Sequence, residues 1–105
     1  MKDYSILEKW IDDYNGAAIY SLVDENGKRY IGQAIHLQQR LNTHRQELNK
    51  AYKRNTIEVV ENVELANAAR RGIKFKVDVL YKIPWYNATK NNLLYYENYY
   101  LEKYG

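Results

Sequence analysis

The stretch AIYSLVDENGKRYIGQAIHLQQRLNTH, Ala18 to His44, leaves a folding chain few choices. It sets two apolar strand-like runs on either side of a turn and then changes at once to helical spacing. AIYSLV and RYIGQA flank DENG, in which Asp24 and Gly27 suit positions i and i+3 of a type I turn. Two hairpins compete. A two-residue Asn26-Gly27 turn pairs Val23 with Tyr30 and sends Tyr20 and Tyr30 to opposite faces. A three-residue loop over Glu25 to Gly27, ending in a left-handed glycine, pairs Leu22 with Tyr30 and puts both tyrosines on one face. A slip of one residue inverts every side chain of a strand, so this choice decides the site. The three-residue loop is the expectation.

After Gly32 the apolar positions become Leu37, Leu41 and Leu48, a helical stripe made for burial, with Arg40 and His44 one turn apart at its border. Two phenols, a guanidinium and an imidazole can therefore converge where this helix meets the hairpin. The helix is expected to run to about Lys50, with Ala51 to Thr56 as a polar, basic loop.

Upstream, residues 3 to 14 place Tyr4, Leu7, Ile11 and Tyr14 on one stripe, predicting an amphipathic helix ended by Asn15-Gly16. It either docks on the chain's own core or forms a homodimer contact. Downstream, Val59, Val60, Val63, Ala66 and Ala69 predict a helix over 58 to 71 closed by Gly72. Its early glutamates and late Arg70-Arg71 agree with the helix dipole. Residues 74 to 81 alternate strictly, with Phe75, Val77, Val79 and Tyr81 on one side, and predict a strand that Pro84 ends. A last helix over 89 to 104 starts at Thr89 as N-cap. In it Glu97 falls in a stripe with Leu94 and Leu101, and a buried carboxylate needs a cation, an arginine such as Arg40, or a solvent-filled cleft. Its five tyrosines read as an amphipathic covering rather than a platform for stacking bases.

The element order predicts an α+β domain with a three-stranded, largely antiparallel sheet flanked by helices. A chain of 105 residues supports one core, so 1–105 is expected to be a single domain, with 1–15 an N-terminal helical extension and 17–104 the core. The absence of cysteine excludes disulfides and thiolate chemistry and fits a reducing, cytoplasmic setting. No apolar run approaches the ~20 residues that span a bilayer. The net charge of +3 conceals an asymmetry. Residues 1 to 25 hold two Lys and six acids, and residues 26 to 105 hold fourteen Lys or Arg against seven acids. Lys28, Arg29, Arg40, Arg45, Lys50, Lys53 and Arg54 face only Glu47 within their block, which suits either a solvated basic surface or a phosphate backbone.

These residues together resemble the GIY-YIG nuclease family. Ala18-Ile19-Tyr20 stands where the first triplet belongs, Tyr30-Ile31-Gly32 is the second, and Leu37, Arg40 and His44 follow at the family's intervals. Ala18 departs from the pattern by replacing a glycine. The resemblance implies divalent-metal-dependent hydrolysis of DNA phosphodiesters. It assigns Tyr20, Tyr30, Arg40, His44 and Glu97 to catalysis, with Glu97 as ligand to one Mg²⁺ or Mn²⁺ ion. Lys28, Arg29, Arg45, Lys50, Lys53 and Arg54 would then meet the nucleic acid. The rival reading is a non-catalytic nucleic-acid-binding module on the same fold.

Overall fold

The computed structural model describes residues 6–8, 13–54 and 63–104. Strand β1 (Ala17–Asp24) lies at the centre of a three-stranded sheet, between β2 (Arg29–Ala34) and β3 (Phe75–Ile83), and both neighbours run antiparallel to it. Helices α1 (Leu37–Arg54) and α2 (Val63–Arg70) lie against one face. Helix α3 (Lys90–Tyr104), preceded by a 3-10 turn at Trp85–Asn87, lies against the other. This is the α+β architecture expected from the element order. The first six residues of β1 are buried, because a central strand covered on both faces needs small or apolar side chains on both.

The hairpin adopts the three-residue loop. Leu22 opposes Tyr30, the Gly27 N–H donates to the Asp24 carbonyl at 3.0 Å, and Gly27 has φ of 88°. The Asp24 carboxylate accepts from the backbone of Asn26 at 2.8 Å and of Lys28 at 2.9 Å, fixing the turn from inside. Tyr20 and Tyr30 consequently share the face that carries α1 and α2.

On β3 the alternation holds for Phe75, Val77 and Val79 and then breaks. Tyr20 opposes Val79 while Ile19 opposes Tyr81, so Leu80 is the extra residue of a β-bulge. Tyr81 therefore turns toward α3, its ring centroid 4.7 Å from that of Tyr96, and Ile83 follows it into that layer.

Leu37, Leu41 and Leu48 are fully buried. Helix α1 continues past the expected stop because Ala51, three residues beyond Leu48, extends the same buried stripe; a helix to Arg54 replaces the polar loop at Ala51 to Arg54. Its first N–H groups donate to Gly16 O (from Leu37, 3.1 Å) and to Asn15 Oδ1 (from Gln38, 2.9 Å), so Asn15 caps α1. Gly72, with φ of 80°, closes α2 as the sequence predicts, its N–H donating to Ala69 O at 2.9 Å; residues 58–62 of that predicted helix lie outside the described residues. Thr89 Oγ1 accepts from Asn92 N at 3.2 Å and caps α3.

Two expectations shift. The sheet-facing stripe of α3 is Leu93, Tyr96 and Tyr100, whereas Leu94 and Leu101 are 50% and 43% exposed. The tyrosine rings, and not Leu94 and Leu101, fill the space over β1. Most of the predicted helix over 3 to 14 lies outside the described residues, and its described parts, Ile6 to Glu8 and Asp13-Tyr14, are not helical. Leu7 makes a parallel bridge to Phe75, with Glu8 N donating to Phe75 O at 2.8 Å and Phe75 N to Ile6 O at 2.9 Å. Leu7 is fully buried, docked on its own chain. No helix among the described residues is long and apolar enough to cross a membrane.

A Cβ added at Gly27 would meet no atom within 4 Å, so its cost is confined to the positive φ. Gly27→Ala should lower the stability measured by urea unfolding by about 1–2 kcal/mol with an unchanged m-value. A neutral substitution would contradict the left-handed loop.

Candidate active site

An open cleft of about 290 Å³ lies where the hairpin meets α1, and its walls include Tyr20, Tyr30, Gly32, Arg40, His44 and Glu97. The five residues expected to carry chemistry thus line one space, although they come from both sides of the sheet. Tyr20 and Tyr30 project from β1 and β2 toward α1, which supplies Arg40 and His44. Glu97 stands on α3, against the opposite face. The two sets meet because β2 is an edge strand and Gly32 has no side chain to stand between them.

Gly32 also fixes Tyr20. A Cβ at residue 32 would lie 2.7 Å from the Tyr20 hydroxyl oxygen and 2.8 Å from Cζ, so the phenol occupies the room a side chain would need. Tyr20 is 2% exposed, yet its hydroxyl reaches the cleft and lies 2.7 Å from His44 Nε2, with the rings edge to face at 5.7 Å. That bond can move a proton between an oxygen and a nitrogen at the cleft wall. Tyr30 packs edge to face on Phe75 at 5.7 Å. Burial raises the pKa of its hydroxyl, although the nearby Lys28 ammonium pulls the other way. Tyr30 therefore stays a neutral phenol at physiological pH, able to donate a hydrogen bond.

Glu97 is half-buried beside the stripe of Leu93, Tyr96 and Tyr100. Its Oε1 accepts from Gln33 Nε2 at 2.5 Å. Among the described residues the partner shown for this carboxylate is a neutral amide and not the guanidinium of Arg40. Among the described residues no group of three His, Cys, Asp or Glu is placed to hold a metal ion. A hard divalent cation such as Mg²⁺ needs less than that, since it keeps several waters and binds through one or two carboxylates plus substrate phosphate. Glu97, with Oε2 accepting no hydrogen bond among the described residues, fits that requirement.

The basic residues are spread more widely. Lys28 forms an exposed ion pair with Glu64 at 2.6 Å and lies 5.2 Å from the Tyr30 ring centroid. Arg29 ties the three strands together: its guanidinium donates to Ser21 Oγ at 2.9 Å and Asp78 Oδ2 at 2.7 Å and lies over the Tyr104 ring at 4.5 Å. Its Nη1 is thus engaged on the α3 face. Arg45 is half-buried on α1, Lys50 and Lys53 are exposed there, and Arg54 is its last residue.

Two cleft residues escaped the sequence reading. Glu47 lines the wall one turn beyond His44; its signal was its place three residues after His44 and seven after Arg40. Gln33 was legible only as the residue after Gly32, since the cue for its role is the position of α3.

Gly32→Ala should displace the Tyr20 ring and break its bond to His44. The expected loss is about 1–3 kcal/mol of stability, from overpacking, together with a changed His44 titration by NMR. An unchanged His44 titration would contradict the close packing.

A family model described as the GIY-YIG catalytic domain matches residues 16–105. No curated protein and no solved structure gives a significant match. With a family match over most of its length and the sheet, helix and cleft in the order that the motif requires, the chain belongs to the GIY-YIG catalytic domain family.

Proposed function

We propose that this chain is a divalent-metal-dependent endonuclease that hydrolyses DNA phosphodiester bonds. The observation that carries the reading is the convergence of the Tyr20–His44 pair, Arg40 and the Glu97 carboxylate on one open cleft. A binding module would need the basic surface and the fold, but not a hydrogen-bonded phenol–imidazole pair facing a carboxylate across the sheet edge.

In this reading Arg40 holds the non-bridging oxygens of the scissile phosphate, with charge and directional donors together. The Tyr20 hydroxyl orients the attacking water. As the water oxygen bonds to phosphorus, one water proton passes to the Tyr20 oxygen, and the phenol's own proton passes along the 2.7 Å bond to His44 Nε2. The opposite P–O bond breaks and its oxygen takes a proton from solvent. Tyr30 donates to the phosphate or the water from the floor of the cleft. Glu97 would hold Mg²⁺ or Mn²⁺, which when bound supplies positive charge against the phosphate and the departing oxygen. Arg45, Lys50, Lys53 and Arg54, with Lys28 once released from Glu64, provide sequence-independent contacts to the backbone.

Incubation of supercoiled plasmid with the protein should give nicked or linear product with Mg²⁺ or Mn²⁺ and none with EDTA. Arg40→Ala should slow the chemical step at saturating DNA by ~10²-fold or more, while Lys53→Ala weakens binding and leaves that step unchanged. Equal effects of the two would remove any special role for Arg40. Glu97→Gln should abolish cleavage and retain DNA binding and thermal stability. Salt-dependent DNA binding by the wild type with no cleavage under any metal would favour the binding-module reading.

A further inference from the structure

We infer that Gln33 is the positioning residue of the metal site: its side-chain amide holds the Glu97 carboxylate in the orientation that receives a divalent cation. The inference rests on the reading of Glu97 as the cation's ligand, and it concerns a residue that no motif marks.

Gln33 follows Gly32 on the edge strand, so strand alternation turns Gly32 toward α1 and Gln33 toward α3. Pairing with Ile19 pins its backbone. From there Nε2 donates to Glu97 Oε1 at 2.5 Å, bridging from β2 to α3. Glu97 accepts no other hydrogen bond among the described residues, so the orientation of its carboxylate depends on this one donor. The identity of the donor also matters. An amide fixes one oxygen and leaves the carboxylate's full negative charge for a cation; an ammonium at the same place would neutralise that charge and repel the metal. A neutral donor of this length suits a ligand that must be aimed but not paired.

Gln33 also borders an adjoining open groove of about 390 Å³ that shares Arg40 with the cleft. Activity alone would therefore mix effects on substrate with effects on the cation, and cation binding separates them. The test is a Mn²⁺ titration of the full chain without DNA, followed by paramagnetic broadening of NMR signals around Glu97. The variants are Gln33→Met, which keeps the length and loses the hydrogen bond, Gln33→Asn, Gln33→Lys, Glu97→Gln, and the double variant Gln33→Met with Glu97→Gln.

Gln33→Met should raise the Mn²⁺ dissociation constant by about 10-fold or more, the effect typical of losing a group that orients a metal ligand. Gln33→Lys should weaken binding further, and Glu97→Gln should remove it. The double variant should behave as Glu97→Gln alone, since Gln33 acts only through that carboxylate. Should Gln33→Met fail to fold, the comparison of Gln33→Asn and Gln33→Lys against wild type carries the same test. Wild-type Mn²⁺ affinity in every folded Gln33 variant, alongside its loss in Glu97→Gln, would overturn this inference and leave the metal site intact. Absence of any Glu97-dependent broadening in the wild type would overturn the metal reading itself, and Gln33's role with it.

Discussion

The phenol of Tyr20 lies where a side chain at residue 32 would have to be, and much of the site follows from that exclusion. A glycine on the edge strand lets the central strand's tyrosine reach past its neighbour to the cleft. The tyrosine hydroxyl then meets His44 Nε2 at 2.7 Å. For Tyr20 and Tyr30 to face the same way, Leu22 must stand opposite Tyr30, and the left-handed Gly27 sets that register from the turn, seven residues after Tyr20 and three before Tyr30. Turn, register, glycine and hydrogen bond are one constraint expressed at four places. A one-residue slip would undo all of them together.

The edge position of β2 has a second consequence, this one electrostatic. A carboxylate beside an arginine pairs with it, each group offsetting the other's charge. Here the sheet stands between Glu97 and the layer that holds Arg40, and Glu97 is held by the neutral amide of Gln33. Glu97 thereby keeps its negative charge on the wall of the cleft that Arg40 also lines. Arg29 contributes from the other side. By bonding to Ser21 on β1 and Asp78 on β3 while lying on Tyr104, it joins the three strands and the end of α3 to one another.

What the sequence displayed most clearly was whatever local periodicity could encode. The hairpin loop, the leucine stripe of α1, the Gly72 stop and the Thr89 cap all depend on residues a few positions apart, and each stands as read. The failures have a common cause in long-range packing. The Leu80 bulge is invisible along β3 because it arises from pairing with β1. The buried face of α3 is rotated from Leu94 to Leu93 because tyrosine rings fill the gap over the sheet, a preference no hydropathy pattern states. Ala51 extends α1 because Leu48 is already buried one turn before it. Glu97 shows the same limit in another form. Its spacing sets it mid-stripe between two leucines, and the structure brings it to the cleft for a different reason, the half-buried border beside Tyr96 and Tyr100. Gln33 had no cue at all until α3 was in place.

The central claim is that one phosphate site is assembled across the edge of the sheet, from Arg40 and the Tyr20–His44 pair on one side and Glu97 on the other. A crystal structure of the Glu97-intact protein with a DNA duplex and Mn²⁺, located by anomalous scattering, tests it most directly. The account predicts the ion at about 2.1 Å from a Glu97 carboxylate oxygen, with one DNA phosphate bridging that ion and the Arg40 guanidinium and with Tyr20 still bonded to His44. DNA seated away from β2, or an ion on carboxylates that exclude Glu97, would contradict it.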